Sequence, residues 1–169
     1  MFQNQSGNKS SNQKGISIIE ILIVISIITI SLTSLLGLVS FSLNAAVLTK
    51  QTFKANNIAQ ESMEQIRNFR DLTQWSTDGL GILIAGTNYY IQKSGAPLRW
   101  QLIEGIEIID GFTRKIVFEN VKRDGSDNII EIGGYYDENT KKITVNVSWQ
   151  ERNKEHQVEL VTYLTNWRQ

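Results

Sequence analysis

From Ile21 to Thr49 no residue can ionise, a run longer than the roughly 20 apolar residues that a bilayer-spanning helix requires. It lies within KGISIIEILIVISIITISLTSLLGLVSFSLNAAVLTK (14–50), where Glu20 is the one charge between the bounding lysines. An acid or lysine at the centre of a membrane helix costs on the order of 2.5–3.5 kcal/mol, so intramembrane charges tend to be paired. Glu20 therefore asks for a partner.

Lys14-Gly15 stands just ahead of the run, and Glu20 is the fifth residue after Gly15. With these residues the sequence resembles the class III signal of type IV pilins and type II secretion pseudopilins. The resemblance implies a basic leader, cut after Gly15 by a prepilin peptidase that then methylates the new N-terminus at Ile16. Family members most often begin with phenylalanine after the cut, so Ile16 is a departure. Many also carry a helix-bending proline about two-thirds along the span, where this chain has Gly37. Glycine weakens a helix by about 1 kcal/mol relative to alanine, so Gly37 implies a softer bend.

The motif has a mechanism. The amine of Ile16 would lie about 6 Å along the helix axis from Glu20. By resemblance, Glu20 of an incoming subunit pairs with the free N-terminus of its neighbour, which neutralises the acid only when another subunit is present. The simpler alternative is that Glu20 sits near the interface and reaches water. Glycine, acid and long uncharged run at this spacing favour the assembly reading.

The implied partners are the prepilin peptidase, other pilin or pseudopilin subunits, an inner-membrane assembly platform, and membrane lipid before assembly. The implied location is the cytoplasmic (inner) membrane, single-pass with the C-terminus outside, and then a filament in the periplasm or at the cell surface. A conventional secretory signal would have an apolar region of about 7–15 residues, about half of the run seen here. An uncleaved signal anchor is the competing reading: a monomeric single-pass protein whose β domain acts as a binding module. Lys9 and Lys14 precede the span as Lys50 and Lys54 follow it, so the positive-inside rule fixes orientation weakly.

At 169 residues the chain has room for one small domain plus appendages. Its formal net charge is zero, so no direct nucleic-acid partner is expected. The leader, residues 1–15, holds two lysines and no acid, and its removal leaves about −2. It has no periodic apolar pattern and is expected to be disordered until removed. With no cysteine, disulfides and thiolate metal sites are excluded.

Within the span, Ser26, Thr29, Thr33, Gly37 and Ser40 recur at three- and four-residue spacing, on one helical face. Such residues let membrane helices approach closely, which suggests a packing stripe. The alternative is that the hydroxyls bond back to their own helix; the sequence leaves both open. Residues 16–46 are then the membrane and filament-core helix, and 47–74 its amphipathic continuation. In the latter Ala55, Ile58, Ala59, Ser62, Met63, Ile66 and Phe69 form an inward stripe, while Glu61–Gln65 and Glu64–Asn68 leave the other face wet. ANNIAQESMEQIRNFRD (55–71) also resembles the minor-pilin group related to PilV and the GspI pseudopilins.

After Trp75, glycines and one proline mark turns between short strands: 88–92, strand and turn over 98–109, a strand over 114–123, and a short strand with a long turn over 128–142. Two clearer strands close the chain, 142–150 and 155–165, with ERNK as the hairpin turn. The expected fold is α+β and pilin-like: a long N-terminal helix packed on a C-terminal antiparallel sheet over 75–169, read as a meander apolar on one face.

No catalytic constellation emerges: one histidine, no cysteine, no glycine-rich phosphate loop. His156 reads as a solvated strand residue, and Asp124–Asn128 and Asp137-Glu138-Asn139 as plain turns without calcium-loop spacing. No metal, cofactor or enzymatic activity is expected. The tryptophans read as core, except Trp167, which is expected to be exposed.

Overall fold

A computed structural model describes Gly15 and residues 17–167. Residues 1–14 of the expected leader (1–15), the expected new N-terminus Ile16, Arg168 and Gln169 lie outside the described residues. Two compact units divide between Ala46 and Val47. Helix α1 runs Ile18–Leu72.

In the first unit every large apolar side chain from Ile18 to Leu43 is between 48 and 79% exposed. This is the one helix among the described residues long and apolar enough to cross a membrane. Fully burying one such side chain is worth about 1.5–3 kcal/mol, and a small domain is stable by only about 5–15 kcal/mol. The segment therefore demands an apolar surrounding, which the described residues of this unit do not supply.

In the second unit the sequence of α1 turns amphipathic, and its apolar stripe is where the sheet lies. Ala55, Ile58, Ala59, Ser62, Met63, Ile66 and Phe69 are all buried, as the spacing predicts. Gln65, expected on the wet face, is buried too. Its Nε2 donates to Glu61 Oε1 at 2.8 Å, while its Oε1 has no partner among the described residues. The 100° step per residue puts Gln65 at the margin of the stripe, and the one-turn bond to Glu61 lets it stay there.

The helix ends because side chains just past it take the backbone groups there. Thr73 Oγ1 donates to the Phe69 carbonyl at 2.7 Å, and the Gln74 amide donates to Asp78 Oδ1 at 2.7 Å. Such local bonds compete with the helical ladder. Gly79 and Gly81 then allow a close return: a Cβ on either would stand 2.6 Å from the backbone oxygens of Gln74 and Trp75 respectively. A single 3-10 turn, Leu80–Ile82, seats Leu80 in the core.

Seven strands follow: β1 (Asn88–Ser94), β2 (Arg99–Glu104), β3 (Glu107–Ile109), β4 (Phe112–Arg123), β5 (Ile129–Ile130), β6 (Tyr135–Glu151) and β7 (Lys154–Thr165). All pairings are antiparallel. The order is β2-β1-β4-β6-β7, with β3 and β5 pairing to β4 off this path. It is therefore not the simple meander expected. After the β1–β2 hairpin the chain crosses back so that β4 lies beside β1, and β2 becomes an edge. Asp110-Gly111 makes the β3–β4 turn with φ of 50 and 84°, the strongest short hairpin signal a sequence carries. Arg152-Asn153 closes β6 to β7 with φ of 50 and 63°, as the reading of ERNK implied.

The larger departure is β6, which begins at Tyr135 rather than 142. Residues expected as a long turn pair with β4 instead, at Tyr135↔Arg123, Tyr136↔Lys122 and Asp137↔Val121. The register then jumps to Lys141↔Asn120, so Glu138, Asn139 and Thr140 form a bulge. Trp75 Nε1 donates to the Glu138 carbonyl at 2.9 Å, and the Asn166 amide to the Asn139 carbonyl at 2.8 Å. Buried Lys141 donates to Asn120 Oδ1 and the Leu83 carbonyl. Gly134, just before the strand, has φ of 65°, and a Cβ there would stand 2.1 Å from the Arg123 carbonyl oxygen, so only glycine fits.

Between helix and sheet, Ile66, Leu80, Ile91, Ile116, Phe118, Ile143, Val145 and Val147 are excluded from solvent to within 1%. Trp149 is buried, Trp75 and Trp100 pack against this core, and Trp167 is exposed as expected. His156, expected to be solvated, is half-buried and stacks on Trp149 with ring centroids 5.4 Å apart.

Candidate functional site

The expected processing and assembly residues lie at the start of α1. Gly15 is exposed, and nothing comes within 4 Å of a Cβ built on it. The helix begins on the Ser17 carbonyl, which accepts the Glu20 amide at 3.0 Å and the Ile21 amide at 3.3 Å. Glu20 is exposed in the first turn, where a carboxylate is favoured by the helix dipole by about 0.3–1 kcal/mol. Ser17 and Glu20 also stand at the S-x-x-E spacing of a capping box, a sequence signal that the reading of Glu20 as an assembly residue passed over. Glu20 thus has a reason to be here within one chain, distinct from any role between chains.

Three hydroxyls of the expected packing stripe are satisfied inside the helix. Ser26 Oγ donates to the Leu22 carbonyl at 2.8 Å, and Thr29 Oγ1 to that of Ile25 at 2.7 Å. Thr33 Oγ1 lies 2.9–3.0 Å from the carbonyls of Ile30 and Thr29. Ser31 and Ser34, off the stripe, make the same bonds. Back-bonding is therefore a property of residues 26–34 on and off the stripe, and it leaves these five hydroxyls without an unmet donor in an apolar medium. Gly37 is helical, with open space where a Cβ would be, and Ser40 is exposed.

The sheet domain shows no comparable site. Among the described residues no group of three His, Cys, Asp or Glu side chains is placed to hold a metal ion. Asp124 turns its carboxylate inward on its own loop, accepting the amides of Ser126 and Asn128 at 2.8 and 2.9 Å. These bonds, that from the Asn128 backbone foremost, hold its carboxyl below the usual range. Asp137 lies at the foot of the β6 bulge rather than in a turn, with Arg123 Nε at 2.7 Å. Burial pushes its carboxyl up, but bonds from Thr140, Arg123 and the Asn139 amide outweigh that and hold it low.

Arg114, which the sequence reading placed in a strand without a role, is buried between helix and sheet. It donates to Ser62 Oγ at 3.0 Å, to the Ile91 carbonyl at 2.9 Å and to Glu107. One side chain so ties α1, β1 and β3 together. No periodicity marks it, because alternation along β4 predicts only that position 114 points inward.

Residues 10–36 match the family model of the prokaryotic N-terminal methylation motif. The match takes in Gly15, Glu20 and the first half of the apolar helix. Neither the curated proteins nor the solved structures contain a match to the chain. The chain thus carries a prokaryotic N-terminal methylation motif, of the kind typical of type IV pilins and pseudopilins, at the head of a pilin-like α+β fold.

Proposed function

We propose that this chain is a structural subunit of a type IV pilus or type II secretion pseudopilus. The observation that carries the reading is the division of labour along α1. The methylation motif opens a helix whose side chains are bare to Leu43, and the same helix is buried on a sheet from Ala55 to Phe69. A bare apolar segment with internally bonded hydroxyls suits lipid first and a bundle of like helices later.

In this reading residues 1–15 are a leader removed after Gly15 by prepilin peptidase, and Ile16 is methylated. Residues 16–46 anchor the chain in the inner membrane and then form the filament core, with Ser26, Thr29, Thr33 and Ser40 as the face of close approach and Gly37 as the point of bending. Residues 47–74 continue the helix onto the β domain, residues 75–169, which is displayed outside. Glu20 of an incoming subunit pairs with the amine of Ile16 on its neighbour in the growing filament. The likeness of residues 55–71 to PilV and GspI supports a minor subunit.

The test is co-expression with a prepilin peptidase. Chains of wild-type sequence should lose the leader, and substitution of Gly15 by a bulky residue should abolish the loss. Retention of the leader by the wild type would leave the signal-anchored monomer as the better reading.

A further inference from the structure

The sheet has two open edges, and they fit each other. β2 pairs only with β1 and β7 only with β6, and no strand lies beyond either among the described residues. Proteins that remain apart blunt a long edge with a lysine, a proline or a bulge. β7 does none of this along LVTYLT (160–165), and its pairing to β6 runs unbroken from Lys154 to Thr165. β2, RWQLIE, is likewise six residues long.

Topology fixes the sense in which the edges can meet. Each neighbour in the order β2-β1-β4-β6-β7 is antiparallel to the next, so β2 and β7 run the same way. A second copy set alongside in the same orientation would pair its β2 with β7 in parallel. The inward residues restrict the register: Trp100 and Leu102 pack against the core from β2, and Leu160 and Leu164 from β7. Setting Trp100 beside Leu160 brings Arg99 beside Glu159 and Ile103 beside Tyr163 on the outer face. Arg99 and Glu159 are both exposed, and neither has an ion-pair partner among the described residues. By contrast, antiparallel β7–β7 pairing needs a two-fold axis normal to the sheet. That would reverse residues 55–69 of one copy, which lie along the sheet, against those of its partner. Parallel β7–β2 pairing instead keeps residues 55–69 of successive copies in the same sense.

We propose that copies of this chain associate head to tail, β7 of one pairing in parallel with β2 of the next, with Glu159 against Arg99. The proposal rests on the filament reading, since a heterologous contact that does not close generates a helical polymer. A minor subunit with such edges would occur in runs rather than singly.

The chain has no cysteine of its own, so engineered disulfides report cleanly. Neighbouring strands lie about 4.8 Å apart, within the roughly 4.4–6.8 Å Cα separation of a disulfide. The full-length R99C/E159C variant, expressed in membranes with prepilin peptidase and oxidised, should give a ladder of dimers, trimers and higher multiples on a non-reducing gel. Each single variant should give dimers at most. In a Q101C/V161C background, Arg99→Glu should lower the ladder yield about two- to fivefold, and Glu159→Arg added to it should restore the yield. Filaments seen by electron microscopy without a ladder would overturn the edge pairing and leave the filament reading standing. A ladder without filaments would do the reverse. Dimers from V161C alone, with no ladder from the double variant, would show the isologous contact and also overturn the proposal.

Discussion

Glu20 has two physical reasons to exist, and one substitution separates them. Glutamine serves in a capping box as glutamate does but cannot neutralise an amine. Glu20→Gln is therefore expected to keep the helix start and leader removal, yet cut filament yield at least about tenfold, a loss of about 1.4 kcal/mol in docking. Sheared-filament yield relative to membrane-bound mature protein measures it. Equal yield from wild type and Glu20→Gln would show that the acid acts as a cap. Arg114 works within one chain. Arg114→Ala leaves Glu107 and the Ile91 carbonyl without their donor and opens a cavity, and should cost about 2–4 kcal/mol in urea unfolding of the detergent-solubilised chain. Arg114→Met should recover part of this by filling the space.

Asp137 gives a pH dependence with a defined sign. Its carboxyl is held below its ordinary value in the folded chain, so it contributes stability above the unfolded pKa of about 3.9. That stability is lost as pH falls from there through the lower folded value. Asp137→Asn should flatten this acid limb and lower stability at neutral pH, which melting temperatures across pH 2–7 would show.

At the scale of elements, the helix was legible where its pattern was periodic. The seven-residue stripe from Ala55 to Phe69 is buried to the last member because 3.6-residue spacing and burial are the same fact seen twice. Ile66→Ala should accordingly cost about 2–5 kcal/mol, while Phe53→Ala, at an exposed position of the same helix, should stay within about 0.5 kcal/mol. Gln65 was only half legible: the helical period puts it at the margin of the stripe, and periodicity alone does not say on which side a marginal polar residue falls. The β6–β7 hairpin was legible from alternation in both strands. The first third of β6 was not, because Tyr135-Tyr136-Asp137 pairs on the far side of a bulge held by Trp75 and Asn166, both distant in sequence. Strand order escaped for the same reason: hairpins are local, but β4 beside β1 is a choice made by the whole core. Of the candidate site, Gly15 and Glu20 stood out through the spacing that carries the family resemblance, and the S-x-x-E spacing of Ser17 and Glu20 was an equally local signal.

For the molecule as a whole, one helix serves two surroundings. Its second half is a core element of the sheet unit, and the large apolar side chains of its first half, Ile18 to Leu43, are exposed. The exposed apolar half is consistent with anchoring in the inner membrane, and the proposed processing and assembly would give it a second cover in the filament. The most direct measurement is the intact mass of the chain recovered from sheared, sedimented filaments of cells that also express prepilin peptidase. The account predicts a chain that begins at Ile16 and carries one added methyl group. A chain still beginning at Met1, or one that stays in the membrane and never enters the sedimented fraction, would contradict it.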